Sequence, residues 1–185
     1  MKVLAISGSL RSDSHNRKLL RAATELFPGD VEVEIWDGLR SIPPFDEDDD
    51  GVEAPAAVTQ LRDAIAGADA LFFSTPEYNH SIPGVLKNAI DWASRPAGRS
   101  VFMNKPAAVV GASTGAFGAV WSQAELRKVL AATGARVVEG ELALGHAHER
   151  FAESGELLDA NFREELREVV DALMAEARPR DAIAA

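Results

Sequence analysis

The sequence predicts a single α/β domain built on a mainly parallel, five-stranded sheet of order 2-1-3-4-5. Three observations carry this. Strand-like apolar runs alternate with segments of helical period along the whole chain. The runs at residues 3–6, 69–74 and 106–110 are almost wholly apolar, as strands covered on both faces must be. No internal repeat or linker divides the 185 residues, a length that suits one full-sized core.

The elements follow in order. The first strand is expected at residues 3–6, followed by a helix over 16–27 that Pro28 and Gly29 stop. Residues 31–36 alternate apolar and charged, as a half-buried strand should. A long loop, 38–54, holds Pro43, Pro44 and an acidic run at 46–50 that lacks the spacing of a calcium-binding loop. A helix over 55–67 leads to a buried strand over 69–74. The turn 75–82 then enters a helix at Pro83, where a missing N–H is tolerated. Residues 106–110 form the fourth strand, 119–132 a helix closed by Gly134, and 136–138 open the fifth strand. A long amphipathic helix covers 157–177. The domain is read as residues 1–178, with 179–185 as a flexible C-terminal tail.

Composition removes several function classes. There is no cysteine, so thiolate catalysis, disulfides and cysteine-bound zinc are out. A net charge of −10 disfavours nucleic acid and anionic membrane surfaces as partners. The chain has no long apolar span and does not open with a signal-peptide pattern, which predicts a cytoplasmic protein. His146 and His148 lack the companions of a metal site, so no metal is assigned.

The predicted topology brings the loops after strands 1, 3 and 4 to the carboxyl edge of the sheet, where such folds bind ligands. The first loop, Ser7 to Arg17, is rich in hydroxyls and amides and carries Arg11. At a helix N-terminus this is a phosphate cradle, with free N–H groups, a favourable dipole and a guanidinium fork. It lacks both G-x-G-x-x-G and the Gly-Lys-Ser/Thr of nucleotide triphosphate loops. Its simpler reading is a turn in which Ser12 or Ser14 caps the helix. The second loop, residues 75–84, is stiffened by two prolines. It offers Tyr78 as a flat face and Asn79 as donor and acceptor. The third, residues 113–118, offers small residues and backbone N–H groups. A phosphate anchor beside a slot for a polar-edged ring is what FMN needs, and a single phosphate turn favours FMN over FAD.

Two motifs make the resemblance specific. Gly8-Ser9-Leu10-Arg11-x-x-Ser14-x-Asn16 precedes Pro76-Glu77-Tyr78-Asn79-x-Ser81-x-Pro83-Gly84-x-Leu86-Lys87-Asn88-Ala89-Ile90-Asp91-Trp92. Together they resemble the NADPH-dependent FMN reductase family, which includes quinone, chromate and azo-dye reductases, from Lys2 to about Ala177. The resemblance implies a flavodoxin-like three-layer sandwich. It implies that Ser9, Leu10, Arg11, Ser14 and Asn16 hold the FMN phosphate and that Pro76, Glu77, Tyr78 and Asn79 border the isoalloxazine ring. Ser113, Thr114 and Gly115 would lie near its pyrimidine edge. NADPH or NADH is the implied co-substrate, and a quinone, free flavin, azo compound or metal oxyanion the acceptor. The flavin carries the redox chemistry, so no catalytic side chain is assigned. Two alternatives stand beside this: a flavodoxin-like electron carrier with no direct NAD(P)H activity, and a fold relative that binds no flavin.

Some residues have structural readings as well. Tyr78 could anchor its loop, Glu77 could serve a helix start or ion pair, and His80 could be a solvated turn residue. Asp91 and Trp92 are expected to pack. The helix after the ring loop carries Val85, Leu86, Ala89, Ile90, Trp92 and Ala93. The next carries Val120, Trp121, Ala124, Leu126, Val129 and Leu130. These faces look wider than one sheet face needs, which predicts a homodimer or homotetramer with Trp92 and Trp121 near the contact. The competing expectation is that loop 38–54 covers them within one chain.

Overall fold

The computed structural model describes residues 1–50 and 54–178. The proposed tail and residues 51–53 of the long loop lie outside the described residues.

The strands are β1 (Lys2–Ser7), β2 (Glu32–Trp36), β3 (Ala70–Thr75), β4 (Pro106–Ala112), β5 (Arg136–Val137) and β6 (Ala143–Leu144). The helices are α1 (His15–Thr24), α2 (Ala56–Ala66), α3 (Gly84–Ala93), α4 (Val120–Ala132) and α5 (Ala160–Ala177). All pairings among these strands are parallel and the order is β2-β1-β3-β4-β5, as expected.

Alternation along the strands builds two cores. Val3 and Ala5 of β1 face α1 and α5, while Leu4 and Ile6 face α2, α3 and α4. β1, β3 and β4 are covered on both sides and buried almost throughout, whereas β2 at the edge is half-exposed.

Several boundaries differ from the expected ones. α1 ends at Thr24, because Leu26 and Phe27 leave the helix to fill the core. α5 starts at Ala160, where Asp159 caps it by accepting from the N–H groups of Asn161 and Phe162. The long loop carries 3-10 turns at Gly38–Ser41 and Glu47–Asp49.

The outer strand is the largest difference. β5 pairs only with the start of β4, at Pro106 and Ala107. The chain then bows out and returns as β6, which pairs with the end of β4 at Gly111 and Ala112. Arg127 of α4 fills the gap. Its guanidinium donates to the carbonyl oxygens of Val109 and Val138 at 2.8 and 2.7 Å, and also to that of Gly140.

The expectation for α3 is corrected. Leu86, Ala89, Ile90, Trp92 and Ala93 are all buried within the chain, and only Val85 of the six is exposed. The long loop does the covering. Phe45 meets Trp92 edge-on at 4.9 Å, and the Pro43 carbonyl accepts from Trp92 Nε1 at 2.9 Å and Asn88 Nδ2 at 2.7 Å. Trp92 is therefore a core residue. Trp121 of α4, in contrast, is 42% exposed.

Candidate functional site

β1 ends at Ser7, and the chain passes close under the next loop. A Cβ on Gly8 would lie 3.0 Å from Leu86 Cδ2 and 3.2 Å from Pro76 Cδ, so a side chain here would push both back by a few tenths of an ångström. Gly8 N–H donates to the Ser74 carbonyl at 2.8 Å, tying the first loop to β3. Ser14 then caps α1, its Oγ accepting from Arg17 N–H at 3.3 Å. The N–H groups of His15 and Asn16, first in the helix, find no acceptor among the described residues. They are the orphan donors of a helix start, where the dipole also favours an anion. Arg11 is exposed beside them, with no ion pair among the described residues.

Asn16 is buried and ties three elements together. Its Oδ1 accepts from Ser74 Oγ at 2.8 Å and Ala112 N–H at 3.0 Å, and its Nδ2 donates to the Ala112 carbonyl at 2.9 Å. Three of its four hydrogen-bonding positions are thus spent on the ends of β3 and β4. The side chain sets the spacing of the loops, and its N–H faces the cradle.

The ring loop is a tight hairpin. Tyr78 and Ser81 exchange two backbone hydrogen bonds of 3.1 Å, and Asn79 and His80 both take positive φ, 53° and 60°. Two such residues in succession define a type I′ turn, and Asn and His are among the non-glycine residues that adopt positive φ most often. The turn holds Tyr78 outward, 50% exposed. Glu77 turns away: its Oε2 accepts from Trp121 N–H at 3.1 Å and Ser122 N–H at 3.2 Å. It thus caps α4, whose own N-cap residue, Ala119, offers no side-chain oxygen. His80 lies 3.5 Å from the other Glu77 oxygen and packs edge-on against Trp121.

The third loop is shaped by β6. A Cβ on Gly118 (φ 57°) would fall 2.2 Å from Ala143 C, and one on Gly145 would fall 2.3 Å from the Ala116 carbonyl oxygen. Ser113 N–H is used by Leu144 O, and Gly115 N–H by Ser113 Oγ at 3.1 Å. Thr114 N–H has no acceptor among the described residues and is available as a donor.

The three loops enclose a cleft of about 140 Å³. Of the expected site residues, Ser9, Arg11, Ser14, Asn16, Pro76, Glu77, Tyr78, Ser113 and Thr114 line it. Leu10 lines an adjoining cavity instead, and Asn79 and Gly115 are exposed at the rim. The donor set fits a phosphate group: free helix N–H groups, serine hydroxyls and a guanidinium. The one carboxylate on the wall, Glu77, is occupied with α4.

His15 and Arg40 are not among the residues that sequence reasoning singles out. His15 lines the cleft, stacks on Phe151 at 6.1 Å, and its buried Nδ1 has no partner among the described residues. Burial, helped by the nearby charges of Lys18 and Arg11, lowers its pKa below 6.5. Arg40 reaches in from the long loop to donate to the Leu10 carbonyl at 2.8 Å. Neither position carries a local pattern that points to this site. Among the described residues no cluster of His, Asp or Glu is placed to hold a metal ion, and no helix is long and apolar enough to cross a membrane.

Comparison with known proteins agrees with this geometry. Residues 1–149 match the profile of the NADPH-dependent FMN reductase family. An NAD(P)H-dependent FMN reductase of Pseudomonas aeruginosa is 44% identical over 174 residues, covering 94% of this chain and 93% of that protein. A 2-hydroxy-1,4-benzoquinone reductase of a Burkholderia species is 38% identical over 181 residues, covering 97% and 98%. Among solved structures, the FerB flavoenzyme NAD(P)H:(acceptor) oxidoreductase of Paracoccus denitrificans superposes with a TM-score of 0.87 at 37% identity, covering 95% of this chain and 96% of that one.

Proposed function

The chain belongs to the NADPH-dependent FMN reductase family, and from that premise we propose how its own residues carry the reaction. The protein is an NAD(P)H-dependent oxidoreductase that works through FMN. When bound, FMN supplies the redox chemistry, relaying a hydride equivalent from the reduced nicotinamide to an acceptor.

The roles of the side chains follow from the cleft. Ser9, Ser14, Arg11 and the N–H groups of His15 and Asn16 hold the phosphate. Asn16 acts mainly through its clamp on Ser74 and Ala112, fixing the distance between anchor and ring loop. Pro76 and Tyr78 provide the wall for the ring, with the Asn79 amide at its rim. Thr114 N–H presents a donor where negative charge is to be stabilised on the pyrimidine edge. The second loop leaves the site open above Tyr78, so nucleotide and acceptor can occupy the same place in turn.

The acceptor we favour is a quinone, because a flat carbonyl compound suits the open, half-apolar face above Tyr78, and several relatives bear quinone reductase names. We also propose a homodimer or homotetramer that pairs through Trp121, Phe117 and Val120. These exposed apolar residues lie together, the two rings 5.1 Å apart, directly beside the ring loop. A cytoplasmic location completes the reading.

The observation that carries it is the convergence of a helix N-terminus, a guanidinium and an outward tyrosine on one cleft. The test is the absorption spectrum of the purified protein under nitrogen. NADPH should bleach the flavin band and a quinone restore it. A protein that takes up no FMN, or whose flavin NADPH leaves oxidised, overturns the reading.

A further inference from the structure

A larger cavity of about 760 Å³ adjoins the cleft and shares Arg11 and Tyr78 with it. Its size is that of a small-molecule site, roughly 300–1,000 Å³. Its lining stands out in a chain of net charge −10: Arg11, Arg17 and Arg40 border it, and among the described residues no carboxylate does. The three come from different segments, the turn after β1, the first turn of α1 and the 3-10 turn after β2.

Arg17 and Arg40 are braced from behind. Arg17 pairs with Asp37, and Arg40 donates Nη2 to the Leu10 carbonyl at 2.8 Å. Each contact uses part of a five-donor fork and leaves other N–H groups for a ligand. One aspartate against three guanidiniums leaves the cavity positive. The rest of the wall includes Leu10, Pro83 and Val85, an apolar surface for a flat ring. Neither Arg17 nor Arg40 lines the smaller cleft, which has its own anion donors. They are placed for a second anion.

We propose that Arg17 and Arg40 bind the 2′-phosphate of NADPH, with Leu10, Pro83 and Val85 against its adenine, and so favour NADPH over NADH. The inference rests on the reading that a reduced nicotinamide nucleotide is the donor. A phosphomonoester carries about −1.5 to −2 charge at neutral pH and three acceptor oxygens, a good match for paired guanidiniums. NADH has only a hydroxyl at that position. The pyrophosphate, common to both nucleotides, is the competing occupant.

The test uses the flavin-loaded protein and its Arg17→Gln, Arg40→Gln and Arg40→Lys variants. The ratio of kcat/KM for NADPH to that for NADH should fall about tenfold or more in each glutamine variant, the size of one charge-assisted contact, and less in Arg40→Lys. Calorimetry with 2′,5′-ADP should show a parallel loss of affinity, while 5′-AMP binding changes little. Flavin content, read from the absorption spectrum, checks that the Leu10 turn is intact. Should Arg40→Gln shed its flavin, Arg17→Gln and Arg40→Lys decide. Equal losses for NADPH and NADH would assign the arginines to the pyrophosphate and overturn the proposal, as would unchanged 2′,5′-ADP binding. If the protein oxidises neither nucleotide, the donor reading fails, and 2′,5′-ADP binding alone decides whether the arginines form a phosphate site.

Discussion

Asn16 and Ala112 lie 96 positions apart and hold each other by two hydrogen bonds, amide to carbonyl at 2.9 Å and N–H to amide oxygen at 3.0 Å. The pair fixes the start of α1 against the end of β4. With Ser74 added, it ties the first loop to the starts of the loops after β3 and β4. Preorganisation of this kind lets a cofactor bind without first ordering its site.

Asn16→Ala should therefore damage stability and binding together. It strands the Ala112 N–H and carbonyl and the Ser74 hydroxyl in a buried place, at about 1–3 kcal/mol for each group left unpaired. Denaturant melts of the apo-protein should show a loss of at least about 2 kcal/mol, and FMN affinity should fall with it. A variant of wild-type stability would mean the clamp is dispensable.

Arg11→Ala should separate the two effects. The side chain is exposed and braces nothing among the described residues, so the fold should hold. Loss of a charge-assisted contact of about 1.5–3 kcal/mol should weaken FMN on the order of tenfold to a hundredfold, measured by quenching of flavin fluorescence. Unchanged affinity in a folded variant would take Arg11 out of the site.

The two tryptophans should behave in opposite ways. Trp121→Glu places a charge on an exposed aromatic patch and should shift the light-scattering mass downward with the fold intact. Trp92→Glu buries a charge in a core position with 0% exposure and should prevent folding, at a cost on the order of 4 kcal/mol or more. A native mass near 19.8 kDa for the wild type would end the oligomer proposal.

His15 gives a pH signature. Its folded pKa lies below 6.5, so between 6.5 and that lower value the unfolded chain binds more protons than the native one. Stability of the apo-protein should thus be full above 6.5 and decline as pH falls through this window, a decline that His15→Gln reduces. A phosphate bound beside the ring should raise the pKa. Histidine NMR titration with and without FMN checks both points, and a midpoint above 6.5 in the apo-protein would contradict the environment described.

The repeating strand and helix periods made the sheet order legible, since burial on both faces leaves apolar runs that no loop imitates. The turn after β1 was legible in part: Ser14 is a local requirement of the helix start, whereas Asn16 answers to Ser74 and Ala112 far along the chain. What escaped depends on long-range contacts. Glu77 reads in sequence as a ring neighbour or a helix-start residue, but nothing local shows that the helix it caps lies 44 positions away. Trp92 reads as surplus apolar surface because Phe45 and Pro43, which cover it, sit in a loop without period. β6 is two residues long and invisible to any periodic pattern, although Gly118 and Gly145 exist to let it approach the third loop.

The interrupted outer strand bears on how this protein behaves when crowded with its own copies. A continuous fifth strand would expose a long row of unpaired amides, a template onto which a neighbouring chain could add. Here β5 and β6 contribute two residues each, and the bow between them turns its carbonyls inward to Arg127. An edge broken in this way offers only two-residue stretches for strand addition on this side of the sheet.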